Sequence, residues 1–182
     1  MNKTIWTVGH STRTIDEFIA LLKKYDIEGV VDVRSVPRSR NNPQFNKDNL
    51  ERILPAAGIE YAHEKELGGL RHPNKNSINT AWKNESFRGY ADYMQTPAFS
   101  YALNELITYA QQKRTVIMCA EILPWRCHRS LISDALVIRG FEVVEIFELE
   151  KSRLHKLTPF ATIEDEKLIY RAHLTADADD TQ

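Results

Sequence analysis

Short β-rich runs alternate along this chain with segments of helical periodicity, and that alternation constrains the fold more than any other feature. The runs lie at residues 4–8, 30–33, 59–63, 115–119 and 141–147. Between them, apolar residues recur at helical spacing: Ile15, Phe18, Ile19 and Leu22 early on, then Phe99, Ala102, Leu103, Leu106 and Ala110. Thr14 and Glu17 form a capping-box pair that opens the first helix, and Thr96-Pro97 opens the later one. Gly58 and Gly140 close helices over 47–57 and 129–139. Strands alternating with helices of this length build parallel βαβ units. The expected fold is therefore α/β, a single three-layer domain with a mostly parallel sheet of about five strands and flanking helices. The pattern fills residues 1–150 except for an irregular, Asn-rich excursion near 66–96, where a short helix is expected around 90–94. Residues 151–182 read as a C-terminal appendage ending in a frayed acidic tail.

The ligand site of such a sheet lies outside the carboxyl ends of its strands. Here those ends are chemically equipped. The first finishes at His10-Ser11, the second at Asp32-Val-Arg34, the third at His63-Glu64 and the fourth at Cys119-Ala-Glu121. His10, Asp32 and Glu121 are candidates for proton transfer, with Ser11 beside them. Cys127 stands just before a helix, where amide N–H groups and the positive dipole end favour a thiolate or a bound anion. Arg126, His128 and Arg129 add positive charge at that point. Arg34, Arg38 and Arg40 form a second concentration, which reads either as a phosphate clamp or as a solvated loop. Cys119, closing an apolar strand, is either a nucleophile or a small buried hydrophobe. Trp82, Phe87, Arg88, Tyr90 and Tyr93 mix aromatic rings with positive charge, a combination that suits base stacking or covers the sheet.

Several classes are excluded or unsupported. Two cysteines are too few for a secreted disulfide scaffold, no apolar run could span a bilayer, and the start is unlike a signal peptide, so a cytoplasmic protein without membrane association is expected. Neither a Walker loop nor a dinucleotide fingerprint occurs, so no nucleotide cofactor is expected. The spacing Cys119-x7-Cys127-His128, even with His10 added, is not that of a zinc site, and no metal is expected. Net charge is −1, which argues against indiscriminate nucleic-acid binding. That value is a cancellation: residues 1–130 hold 18 basic and 14 acidic side chains, residues 131–182 hold 6 and 11.

Five ordered stretches resemble the family called domain-of-unknown-function family 488. They are Thr7-Val-Gly-His-Ser11, Asp32-Val-Arg-Ser-Val-Pro-Arg-Ser-Arg40, Glu66-Leu-Gly-Gly-Leu-Arg71, Phe87-Arg-Gly-Tyr-Ala-Asp-Tyr-Met94, and Met118-Cys-Ala-Glu121 with Cys127-His-Arg129. That family is defined by sequence and implies no particular activity. Val31-Asp-Val-Arg34 and Val116-Ile-Met-Cys119, followed by Arg129-Ser130, are also similar to rhodanese-type sulfurtransferases, a likeness that would make Cys119 a persulfide carrier. The loop after Cys119 departs from that pattern: it is long, lacks glycine and contains Pro124, which has no amide donor.

Three functions follow as expectations. The first is an enzyme acting on an anionic substrate, nucleotide-like or derived from nucleic acid. Arg34, Arg38, Arg126 and Arg129 would bind the charge, and Glu121, His10 or Asp32 would move protons. The second is thiol chemistry, as a sulfurtransferase or redox protein, at Cys119 or Cys127. The third is a noncatalytic nucleic-acid-binding module. No oligomeric state is implied.

Overall fold

The computed structural model describes residues 3–172. Strands β1 (Thr4–Gly9), β2 (Gly29–Asp32), β3 (Glu60–His63), β4 (Thr115–Cys119), β5 (Glu142–Glu148) and β6 (Lys151–Leu154) form one sheet in the order β3-β2-β4-β1-β5-β6. All neighbours are parallel except β6, which runs antiparallel to β5. A separate hairpin pairs β7 (Thr162–Glu164) with β8 (Lys167–Ile169). The expected tail at 176–182 lies outside the described residues.

Helices α1 (Ile15–Lys24) and α2 (Lys47–Ala56) cover one face of the sheet. Helices α3 (Glu85–Tyr93), α4 (Pro97–Gln112) and α5 (Arg129–Ile138) cover the other. Strand pleating distributes the residues between the two cores, since successive side chains alternate in direction. Val30, Val116 and Met118 pack with Phe18, Leu50 and Leu54 beneath α1 and α2. Val31, Val33, Ile117 and Cys119 pack with Leu103, Leu131 and Ile132 on the other side. Local chemistry matches the sequence signals: Thr14 and Glu17 exchange both capping-box bonds, and Thr96 caps α4 through the Phe99 amide. The short helix of the excursion begins five residues earlier than expected, because Asn84 caps it by accepting from the Ser86 and Phe87 amides.

The excursion is ordered around one buried carboxylate. Asp92 on α3 accepts hydrogen bonds from the Asn74 amide, the Ser77 hydroxyl and the Asn79 side-chain amide, at 2.6–2.8 Å. Asn79 in turn accepts from the Tyr170 amide, joining the excursion to the C-terminal segment.

The segment after 150 is tied to the main sheet by β6 and by a charged network. His155 bridges Asp134 on α5 (2.8 Å) and Glu145 on β5 (2.7 Å); Arg153 also meets Glu145, and Tyr170 donates to Asp134 at 2.8 Å. Burial alone would lower the His155 pKa, yet the two carboxylates raise it to about 9. A pKa raised on folding contributes stability that is complete below the unfolded value, about 6.5, and is lost as pH rises through the folded one. The expected outcome is that the difference in unfolding free energy between wild type and His155→Gln shrinks by about 2 kcal/mol, discounted for solvent screening, as pH rises from about 6.5 to 9.5. Urea denaturation across that range checks it, and a constant difference would refute the charged-bridge assignment.

Candidate active site

A cleft of about 510 Å³ opens at the carboxyl edge of the sheet, over the end of β4. Its lining comes from four separate stretches: Arg34, Ser35 and Val36 after β2; Gly69 and Leu70 in the excursion; Asn84, Ser86 and Phe87 at the start of α3; and Cys119, Ala120, Glu121, Arg126, Cys127 and His128 between β4 and α5. Two close approaches shape it. A Cβ on Gly9 would lie 2.0 Å from the Glu121 carbonyl oxygen, and one on Gly69 would lie 2.6 Å from Nδ1 of His128. Both positions therefore admit only glycine without displacing a wall of the site.

At the base of the cleft the sulfur atoms of Cys119 and Cys127 stand 2.7 Å apart as free thiols. Cys119 reaches this point because pleating turns it toward α5, and Cys127 because it precedes the first turn of that helix. Arg129 lies behind both, 1 % exposed. Its Nε donates to the Cys119 sulfur at 3.1 Å, one Nη donates to the Thr7 hydroxyl at 2.6 Å, and the other donates to the Glu121 carbonyl. None of these acceptors is a carboxylate. The counter-charge of this buried guanidinium is the sulfur pair.

The two thiols respond in opposite directions. Burial would raise the Cys127 pKa, but the hydrogen bond from Cys119 together with the Arg129 charge, amide and side chain lowers it to about 6. Burial, and then the bond to Cys127, pushes the Cys119 thiol well up. The pair thus holds one negative charge near neutral pH, centred on Cys127. His128 is kept neutral by burial. Its Nε2–H donates to the Val33 carbonyl at 2.8 Å, leaving Nδ1 as an acceptor 3.5 Å from the Cys127 sulfur.

The other expected residues sort differently. Arg34, Glu121, Arg126 and His128 line the cleft with the cysteines. His10 and Asp32 do not. Asp32 is fully buried on the α1/α2 side, where both its oxygens accept from Arg34 (2.9 and 2.6 Å) and one also accepts from Tyr61 at 2.6 Å. His10 is 1 % exposed and stacks on Phe45 at 4.2 Å. Its Nδ1–H donates to the Ser11 carbonyl and its Nε2 accepts from Arg34, while burial lowers its pKa to about 4. With both nitrogens engaged and no opening to the cleft, His10 has no place as the proton acceptor expected of it. Ser11 joins its amide to the Ala120 carbonyl at the edge of the sheet and also lies outside the cleft. Arg38 is exposed on the loop beyond the lining, and Arg129 serves the sulfurs from beneath instead of meeting a substrate. Tyr90 and Trp82 pack into the core on the α3 side. A full ring of amides, as in a tight rhodanese loop, does not surround the sulfurs, although the Arg129 amide acts on Cys127. The Leu123, Arg126 and Cys127 amides bond within the loop, and the Arg129 guanidinium takes the place of that ring.

Ser35, Val36, Gly69, Leu70, Asn84 and Ser86 are site residues that sequence reasoning passed over. The available signal for four of them was that Ser35, Val36, Gly69 and Leu70 fall within the family-like stretches 32–40 and 66–71. Among the described residues, no group of three or more His, Cys, Asp and Glu side chains is arranged to hold a metal ion.

If Arg129 sustains the thiolate, Arg129→Gln should move the alkylation midpoint from about 6 to about 8.5 or above. It should also cost about 3 kcal/mol or more of stability, the scale of breaking a buried ion pair. Arg129→Lys, which keeps the charge, should retain part of the depression. Iodoacetamide rates against pH measure all three proteins, and an unchanged midpoint in the Gln variant would exclude the charge assignment.

Searches of curated proteins and of solved structures returned no match. The sequence does match the family described as Domain of unknown function DUF488 over residues 14–136. That stretch runs from the cap of α1 into α5 and contains every residue that lines the cleft. The chain therefore belongs to the DUF488 family.

Proposed function

We propose that the protein is a thiol enzyme that uses Cys127 as the nucleophile and Cys119 as the resolving thiol, acting on an electrophilic sulfur presented in the strand-end cleft. The observation that carries this reading is the pair of sulfurs 2.7 Å apart above a buried arginine that has no carboxylate partner among the described residues. Such an arrangement activates one thiol and holds a second ready to displace whatever the first has bound.

The chemistry is thiol–disulfide exchange. The Cys127 thiolate attacks one sulfur of a substrate R–S–S–R′. The substrate S–S bond breaks, and R′–S⁻ leaves with the electron pair. Cys119 then attacks the Cys127 sulfur, its proton passing to the R–S⁻ that departs from Cys127, beside Nδ1 of His128. The products are two substrate thiols and a Cys119–Cys127 disulfide, so the substrate gains the two electrons that the enzyme loses. An external thiol returns the protein to its dithiol form. Glu121 and Arg126, which line the cleft, would meet polar groups of the substrate.

A chromogenic aryl disulfide tests the scheme. Wild type should release both aryl thiolates per molecule and finish with an internal disulfide, seen by mass spectrometry. Cys119→Ser should stop with one aryl group trapped on Cys127. Cys127→Ser should react at pH 7 slower by about 30-fold or more, following the loss of thiolate at an ordinary or raised pKa. Aryl groups retained on both cysteines of the wild type, with no internal disulfide, would rule the mechanism out.

A further inference from the structure

The loops around the cleft have a charge pattern that the dithiol chemistry does not use. Residues 33–46 and 67–84 supply two of its walls and contain six Lys or Arg but no Asp or Glu. Arg34 is paired with Asp32, and Arg71 lies within 3.8 Å of Glu66. Arg126 lines the cleft and is exposed; Arg38, Arg40, Lys75 and Lys83 are exposed further along the two other loops, outside the lining itself. Among the described residues, none of these five side chains makes a hydrogen bond or ion pair. The acidic side chains of the neighbouring loops are all engaged: Glu64 accepts from the Glu66 amide, Glu66 meets Arg71, Glu85 meets Arg88, and Glu121 accepts from the Leu123 amide. Glu64 and Glu121 accept only from neutral amides and keep their charge, but the five unpaired cations outnumber those two carboxylates, so the balance at this edge is positive. At the amino ends of the strands, Glu60 pairs with Lys113, and Glu28 accepts from the Arg114 amide.

Apolar surface accompanies the charge. Val36 and Leu70 face each other's loops at the cleft and are 62 % and 75 % exposed, among the largest exposed aliphatic surfaces of the described chain. The one phenyl ring in the cleft lining, Phe87, is half-buried and stacked on Trp82 at 5.0 Å, so it offers little to a nucleobase. Cations spread over three loops call for a repeated anion rather than a single phosphate. Exposed aliphatic side chains between them call for aliphatic partners, which a polypeptide has and a sugar-phosphate strand lacks.

We infer that the dithiol acts on an acidic polypeptide: a segment rich in Asp and Glu, with apolar residues beside a disulfide-bonded cysteine, lies across the rim and presents that cysteine to the cleft. This inference rests on the thiol reading and names its substrate class. The rim cations would raise the encounter rate with such a segment and repel a basic one, an effect that salt screens.

Three synthetic peptides test it, identical except that Glu, Ser or Lys flanks a cysteine carrying the chromogenic aryl disulfide. At low ionic strength the Glu peptide should exchange about 10-fold or more faster than the Ser peptide, with the Lys peptide slowest, and the order should collapse near 1 M salt. Arg38→Glu/Arg40→Glu/Lys75→Glu/Lys83→Glu should invert the order. Equal rates for the three peptides, with the low alkylation midpoint intact, would overturn the docking surface and leave the thiol reading standing. So would tighter binding of a single-stranded RNA than of the Glu peptide. A Glu peptide with serine in place of cysteine separates the opposite case. If it binds the Cys119→Ser/Cys127→Ser protein in a salt-sensitive way while the wild type exchanges no disulfide, the surface is supported and the thiol reading fails.

Discussion

The buried guanidinium of Arg129 is the interaction on which the rest of the site depends. A full positive charge removed from water is costly unless an opposite charge meets it, and here the acceptors are a hydroxyl, a carbonyl and the Cys119 sulfur, with the Cys127 sulfur beside it. The thiolate is thus as much a requirement of the arginine as the arginine is of the thiolate. Thr7 of β1, Cys119 of β4 and the loop carbonyl of Glu121 are drawn to one point by it, which links the two central strands of the sheet to the start of α5. The same contacts explain a loop that keeps its sulfurs activated without a full ring of amides, since one forked side chain supplies the donors.

A second polar cluster sits on the opposite face, and it is structural. Asp32, Arg34, Tyr61 and His10 form a closed set beneath α1 and α2, with Arg34 also donating to the Phe45 carbonyl and His63 donating to the Arg34 carbonyl. This cluster anchors the loop after β2, and thereby fixes Ser35 and Val36 as one wall of the cleft. Its members have the residue types of acid–base catalysis, yet their hydrogen-bonding capacity is filled from within.

The five parallel strands were legible because each is an apolar run with a turn at either end, and the caps marked helix starts to within a residue or so at α1 and α4. β6 was not: Lys151, Ser152, Arg153 and Leu154 are all exposed, so no apolar face announces the strand, and only pairing with β5 creates it. Within the site, Cys119, Cys127, Glu121, Arg126 and His128 could be found because they share one stretch of chain. The division between His10 with Asp32 and Cys119 with Cys127 turns on strand parity, which was present in the sequence as the alternation of Val31, Asp32 and Val33. The wall built by Gly69 and Leu70 depends on how closely the excursion approaches His128, a relation between distant residues that no local pattern encodes.

The hydrogen-bonded link from Asp92 through Asn79 to Tyr170 has a further consequence. Tyr170 also reaches Asp134 on α5, and α5 begins at the arginine beneath the sulfurs. One continuous chain of buried polar contacts therefore joins the closing hairpin, the excursion and the helix that carries the thiol site. Local opening around Tyr170 would release the partners of Asn79 and Asp134 together, which couples the excursion and the helix beginning beneath the sulfurs to the C-terminal segment. A stretch of chain remote from the chemistry serves in this way as the clasp that keeps both sides of the cleft in register.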